Sequence, residues 1–244
     1  PDTMSPAAAV YVQRGLGATK AAAFDLNAAC TGFVYSLTVG SGLISSGIFR
    51  HVLVIGAETL SRFIDWEDRK TCILFGDGAG AVVLSRAEGE ESRILDHYLR
   101  SDGVGADLIH IPGGGCRTPA THESVERRDH FLKMQGSEVF KFATRTMIEL
   151  LETAMSRNEL RLEDIDLLVP HQVNYRVIEA VRRKLPIPEE RVFLNLERYG
   201  NTSAASVPIA LHEAVASGRI SRGQIVLLVA FGAGLTWGYN LIRW

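Results

Sequence analysis

The chain has 244 residues, 46% of them hydrophobic and 22% charged, and its 26 Lys and Arg against 28 Asp and Glu leave a formal charge of −2. This composition excludes a disordered or fibrous chain and suits a globular protein of one large or two smaller domains. With no long run of one sign, it argues against nucleic-acid binding as the main role. The longest apolar run, residues 225–235, is too short to cross a bilayer and holds two glycines, so no membrane span is expected. The cysteines, Cys30, Cys72 and Cys116, are odd in number and too far apart for a metal pair or a disulfide framework. They lead to the expectation of a cytoplasmic protein without a metal site.

Helical spacing of apolar residues predicts helices over 5–16 and 31–46, the second carrying Phe33, Val34, Leu37, Leu43 and Ile44 and stopped by Gly47. The nearly all-apolar runs 51–57 and 79–84 read as strands covered on both faces. Residues 113–130 open on Gly113-Gly114-Gly115 and continue charged, which predicts a surface loop. An amphipathic helix follows over 135–157, with Val139, Phe140, Met147, Leu150 and Leu151 on its apolar side. A strand at 165–169, a helix at 175–184, a strand near 192–194, a helix at 203–216 and two closing strands complete the chain. Strands alternate with helices, so the class is α/β.

An internal repeat is visible. Ser46-Gly47-Ile48-Phe49-Arg50 leads into Val52-Leu53-Val54 much as Ser217-Gly218-Arg219-Ile220-Ser221-Arg222 leads into Val226-Leu227-Leu228, and each copy then reaches a Phe-Gly turn, at Phe75 and at Phe231. Gly47 and Gly218 are 171 residues apart, and the same offset carries Cys30 onto Asn201. Both precede a predicted helix. The expectation is that the two halves place Cys30 and Asn201 at corresponding strand-to-helix junctions facing one cleft.

Cys30 lies where 23–27 gives way to the helix opened by Thr31 and Gly32. A thiol titrating near its usual ~8.5 is only about 3% ionised at pH 7, and the positive end of a helix that lowered it to about 7 would half-ionise it. A buried, inert cysteine is the alternative. Cys72, before an expected apolar strand, and Cys116, in the glycine-rich loop, read as non-catalytic. His171 follows Leu167-Leu168-Val169-Pro170 and is flanked by Gln172, Asn174 and Arg176, a polar exit for an apolar strand. The other histidines lack such a setting. Asn201, taken alone, suits a helix N-cap; its place in the repeat points to a site. The run Gly76-Asp77-Gly78-Ala79-Gly80 leads into a strand, whereas a phosphate cradle needs a helix there, so a dinucleotide site is rejected. In Phe231-Gly232-Ala233-Gly234 the small residues would let backbone N–H groups approach a ligand as an oxyanion hole requires, and a tight β-turn is the plainer alternative.

Asn-Ala-Ala-Cys30-Thr-Gly-Phe, Pro-His171-Gln-Val-Asn-Tyr-Arg, Tyr-Gly-Asn201-Thr-Ser-Ala-Ala-Ser and Phe-Gly-Ala-Gly-Leu-Thr-Trp-Gly, in this order, resemble the β-ketoacyl-acyl-carrier-protein synthase III family. The resemblance covers essentially the whole chain, with the family's opening strands and helices expected to be absent. It implies the duplicated, five-layer αβαβα thiolase-like fold with mixed sheets, one half at 1–132 carrying Cys30 and the other at 133–244 carrying His171 and Asn201. It also implies an acyltransferase that needs no cofactor. Cys30 would attack a short acyl-CoA, with the oxyanion held by the backbone N–H groups of Cys30 and Ala233. His171 and Asn201 would then stabilise the enolate left when malonyl-acyl-carrier protein loses carbon dioxide, and that carbanion would attack the acyl group to begin fatty acid synthesis. Arg69 matches an arginine that contacts the CoA nucleotide, Phe75 a residue lining the acyl pocket, and Asn174 and Arg176 positions near the pantetheine and the carrier protein. Phe231 is counted with the substrate-binding residues, and a homodimer is implied. Val173 and Ala233 depart from the usual family pattern.

Three rivals remain: a relative transferring the acyl group to a hydroxyl or amine, a papain-like Cys-His-Asn hydrolase, and a non-catalytic scaffold. The papain-type Cys-Gly-(Ser/Ala)-Cys-(Trp/Tyr) signature is absent, and a scaffold has no need of all three site residues.

Overall fold

The computed structural model describes residues 1–87, 89 and 92–244. In chain order its elements are α1 (Ala8–Gly15), α2 (Gly32–Ser45), β1 (His51–Thr59), β2 (Asp77–Ser85), β3 (Arg93–Ser101), β4 (Ile109–His110), α3 (His122–Glu126), β5 (Lys133–Met134), α4 (Gly136–Arg157), β6 (Leu167–Pro170), α5 (Tyr175–Arg182), α6 (Leu196–Tyr199), α7 (Ser206–Ala216), β7 (Ile225–Gly232) and β8 (Thr236–Arg243). The class is α/β with mixed sheets, as the alternation of elements implies. The strand expected near 192–194 contracts to a single bridge between Leu168 and Val192. No helix among the described residues is long and apolar enough to cross a membrane.

The four-stranded sheet runs β3-β8-β7-β6, with β6 and β7 parallel and the other pairs antiparallel. β7 sits inside it and is apolar because both its faces are covered. Leu227, Val229 and Phe231 pack with residues of α4 and α5, while Val226, Leu228 and Ala230 pack with residues of α2 and α7. Each of the Val, Leu and Phe side chains among these contributes about 1.5–3 kcal/mol by leaving water. On the other side of α2 and α7 lies the antiparallel pair β1-β2, so the described residues form four layers, α, β, α and β. The outer face of that pair presents Leu53, Ile55 and Val83 to solvent.

β3 is a strand that residue periodicity did not announce. It pairs along its length with β8, so the sheet of the second half begins at Arg93 and the expected division at 132/133 cuts through it. Its polar residues are satisfied across the fold. Asp96 accepts from Arg157 (2.9 Å), Asn158 (3.0 Å) and the Tyr239 hydroxyl (2.6 Å), which holds its carboxyl well below the usual range despite partial burial.

The glycines before and within β2 have a packing reason. A Cβ at Gly80 would lie 2.9 Å from Ile209 N, and one at Gly78 would lie 2.9 Å from Ile209 Cδ1, so their absence lets α7 rest on the strand. The run enters a strand, as expected, and cradles a helix flank. Gly56 of β1 does the same for the segment before α7, where an added Cβ would come within 2.8 Å of the Ala204 carbonyl carbon. Gly56→Ala is therefore expected to cost about 1–3 kcal/mol in urea unfolding. An unchanged midpoint would show that this contact yields.

Candidate active site

Two junctions where irregular chain enters a helix carry the site, with no strand before either of them, and they are built alike. A 3-10 turn at Ala29–Thr31 opens α2, and another at Ser203–Ala205 opens α7. The first residue of each has positive φ, 46° at Ala29 and 49° at Ser203, so the chain enters both helices by the same left-handed bend. Ala29 is thus the counterpart of Ser203, and Cys30 that of Ala204. The junctions correspond as expected, but Asn201 is not the equivalent of Cys30: the glycine offset misleads because α2 has 14 residues and α7 only 11.

The end of β7 passes directly beneath the cysteine. A Cβ at Gly232 would lie 2.6 Å from Cys30 Cβ, so glycine is required for this approach. The sulfur lies over Gly232, beside the backbone N–H groups of Cys30 and Ala233 and close to Ser203. Two threonines lock these donors together. Thr31 Oγ1 and Thr236 Oγ1 lie 2.6 Å apart and between them reach the carbonyls of Ala28, at 2.6 and 3.1 Å, and of Ala233, at 2.9 Å.

The expected lowering of the thiol is overturned. Burial pushes Cys30 up to about 11 and the negative charge of Glu58 adds to this, while Ser203 and the two N–H groups recover only part. A single 3-10 turn separates Cys30 from α2, and the helix terminus does not offset the loss of water around the sulfur.

His171 extends the β6-β7 register one residue past the strand, its N–H donating to Val229 O at 2.7 Å. The ring is 1% exposed and packs edge-on against Phe231, with centroids 5.9 Å apart. Its Nδ1 lies 2.6 Å from Ser206 Oγ, the first residue of α7, and the Gln172 N–H reaches the same oxygen at 3.4 Å. Nδ1 is the one acceptor the buried Ser206 hydroxyl has among the described residues, so the hydroxyl gives its hydrogen to Nδ1, which assigns the ring proton to Nε2. Nε2 is buried and has no partner among the described residues. Burial lowers the imidazole to about 3. His171 is neutral, with one N–H left to donate.

Asn201 is bracketed by the segment after Cys72. Its N–H donates to Leu74 O at 2.8 Å and its carbonyl accepts from Gly76 N–H at 2.9 Å, an isolated parallel bridge between Phe75 and Asn201. Its Oδ1 accepts the Ser203 N–H at 2.8 Å, leaving the amide nitrogen to donate. Segment 201–206 thus joins the three residues: Asn201 begins it, Ser203 lies close to Cys30, and Ser206 holds His171. In a papain-like arrangement asparagine would orient the histidine. Here Ser206 does so, and Asn201 turns its oxygen to its own backbone.

The remaining residues lie around this point. Phe75 is half-buried and pairs by backbone with Asn201. Phe231 is buried behind His171 and against Phe142, with centroids 6.5 Å apart in the latter pair. Asn174 caps α5 by accepting the Arg176 N–H at 2.9 Å, while Arg176 and Arg69 are exposed. Sequence reasoning missed Thr31, Glu58, Ser203, Ser206 and Thr236. The Asn-Thr-Ser-Ala-Ala-Ser string was the available signal for two of them.

Paired junctions of this kind, with a cysteine in one and backbone donors supplied by the neighbouring strand end, define the condensing enzymes of the thiolase fold. Family models described as 3-oxoacyl-[acyl-carrier-protein (ACP)] synthase III match residues 24–103 and, for the C-terminal part, 155–244. A beta-ketoacyl-[acyl-carrier-protein] synthase III of Caldanaerobacter subterraneus subsp. tengcongensis is 51% identical over all of this chain and 73% of its own length. The crystal structure of 3-oxoacyl-[acyl-carrier-protein] synthase III from Aquifex aeolicus VF5 aligns with TM-score 0.90 at 45% identity, covering 100% of this chain and 74% of that one. That of Pseudomonas aeruginosa PAO1 aligns with TM-score 0.92 at 40% identity and the same coverage. The chain belongs to the β-ketoacyl-acyl-carrier-protein synthase III family.

Proposed function

We propose that the protein condenses a short acyl-CoA with malonyl-acyl-carrier protein, the step that initiates fatty acid synthesis, using Cys30, His171 and Asn201. The observation that carries this reading is the close seat of Cys30 on Gly232 at the end of β7, which sets the sulfur beside the backbone N–H groups of Cys30 and Ala233. When Cys30 attacks a thioester carbonyl, the same donors face the oxygen that becomes negative. Each such donor is worth roughly 3 kcal/mol in the transition state.

Decarboxylation of the malonyl thioester places charge on its carbonyl oxygen. The reading assigns two neutral donors to that oxygen, His171 Nε2–H and the Asn201 amide N–H₂, which suits a group that must give up a carboxylate without holding it by a salt bridge. Acyl-CoA is consumed as a substrate, and no cofactor enters the scheme. Asn174 and Arg176, at the exposed start of α5, and Arg69 are the groups offered to the pantetheine, the acidic carrier protein and the CoA nucleotide. A cytoplasmic homodimer completes the reading.

Acetyl-CoA is expected to add one acetyl group to Cys30 in intact-protein mass spectrometry, and malonyl-acyl-carrier protein is then expected to discharge it with release of carbon dioxide. Absence of the adduct would overturn the reading. Discharge to a hydroxyl or amine without carbon dioxide would replace it with the acyltransferase alternative.

A further inference from the structure

The two N–H groups offered to a thioester oxygen come from distant parts of the chain, Cys30 from the 3-10 turn before α2 and Ala233 from the turn after β7. Gly232 sets a floor under them: a Cβ there would lie 3.1 Å from Cys30 Sγ and 3.2 Å from Cys30 N. Contact of this kind limits approach and does not fix direction. Among the described residues, the hydrogen bonds that join the two turns both end on Thr236 Oγ1, one shared with Thr31 Oγ1 at 2.6 Å and one to the Ala28 carbonyl at 3.1 Å. Thr236 faces Gly232 across the β7-β8 register, and Thr31 is fully buried. Each hydroxyl has one hydrogen to give. Whichever of the two donates to the other, the second gives its hydrogen to a carbonyl of these same turns, Ala28 or Ala233. The pair therefore acts as a single tie.

The twin corner has no such tie. Ala205 ends its 3-10 turn where Thr31 ends the other, and Leu60 lies four residues past Gly56 as Thr236 lies four past Gly232. That corner keeps the left-handed bend and the close seat on its strand with an alanine and a leucine at these places, so the hydroxyl pair is not what makes such a corner fold. It accompanies the thiol.

We infer that Thr31 and Thr236 are positioning residues for thioester chemistry at Cys30, holding the N–H groups of Cys30 and Ala233 in the mutual direction that one oxyanion needs. The inference rests on the reading of Cys30 as the nucleophile. It assigns the pair to two steps, formation of the acyl adduct and attack of the carbanion on that adduct, because a carbonyl bonded to the Cys30 sulfur becomes an oxyanion in both. Loss of carbon dioxide lies outside its reach. His171 is held by Ser206, and Asn201 by Leu74, Gly76 and the backbone of Ser203, through bonds that involve neither threonine.

The test is the rate of acetyl transfer from acetyl-CoA to Cys30, followed by rapid quench and intact-protein mass spectrometry, beside carbon dioxide release from malonyl-acyl-carrier protein supplied alone. Thr236→Val keeps the shape of the side chain and removes the hydroxyl, and it is expected to slow acetyl transfer about 30-fold at saturating acetyl-CoA. The half-saturating concentration should stay within about twofold, because a misdirected donor is felt only as charge develops on the oxygen. Carbon dioxide release should stay within about threefold of wild type. Thr236→Ser restores the hydroxyl and should bring acetyl transfer back to within about threefold. Thr31→Val should slow acetyl transfer about tenfold, and adding it to Thr236→Val should slow it no further, as for two hydroxyls that work as one unit. Acetyl transfer in Thr236→Val within about twofold of wild type would overturn the inference. So would equal losses of acetyl transfer and carbon dioxide release, or a slow Thr236→Val that Thr236→Ser does not recover, since a merely structural side chain gives those results. If Thr236→Val does not fold, Thr31→Val and Thr31→Ser carry the same test. Wild-type protein without an adduct on Cys30 would instead overturn the nucleophile itself, so the two failures are distinguishable.

Discussion

Cys30→Ala is expected to abolish acyl transfer, lowering condensation on the order of 10⁴-fold or more, because no other group takes the place of the covalent nucleophile. Cys72 and Cys116 lie in other segments, in a turn and in the glycine-rich loop. The informative part is what survives. His171 and Asn201 are held by Ser206, by Leu74 and Gly76, and by the backbone of Ser203, none of which needs the sulfur. Carbon dioxide release from malonyl-acyl-carrier protein is therefore expected to persist within about tenfold in Cys30→Ala while product formation stops. Radiolabelled malonyl carrier protein separates the two. Loss of both together would place the cysteine in the decarboxylation step as well, against the division of labour proposed.

His171→Ala should show the opposite pattern. The acetyl adduct on Cys30 still forms, and condensation falls about 10²–10³-fold for the loss of one donor to a developing oxyanion. The pH dependence has a definite sign. Burial keeps the imidazole neutral down to about 3, so its contribution to the rate is flat from pH 8 to pH 5. A rate that rises as pH falls through ~6.5 would mean that imidazolium is the working form. Stability follows the same linkage. The unfolded chain carries an ordinary histidine that binds a proton below about 6.5. The folded state does not, so the wild type loses stability as pH drops from about 6.5 toward 3. His171→Ala should remove that part of the slope in denaturant titrations from pH 7 to pH 4.

The elements read most readily from the sequence are those in which one physical cause dominates. The helix at 135–157 showed its apolar stripe, and 225–232 showed a strand covered on both faces. β3 did not, because Asp96 and His97 interrupt its apolar residues. Their partners, Arg157, Tyr239, Thr38 and Asn240, lie far away in the chain, so nothing local signals that they are satisfied. The same reason divides the site. Cys30, His171 and Asn201 stand in motifs that could be weighed by residue type. Thr31, Ser206 and Thr236 act only through what tertiary contact sets beside them. The repeat was real and its arithmetic misleading, since a helix longer by nearly one turn moves the register at one end and the following turn moves it back.

The two junctions are seated crosswise: Cys30 rests on Gly232 of β7, and the turn at Ala204 rests on Gly56 of β1. Each half therefore builds the floor of the other's corner, and neither could hold its own corner in shape if parted from its twin. At matching corners one copy carries a thiol and the other a methyl group. Symmetry supplies a rigid frame twice over, and reactivity enters through a single atom on one side of it.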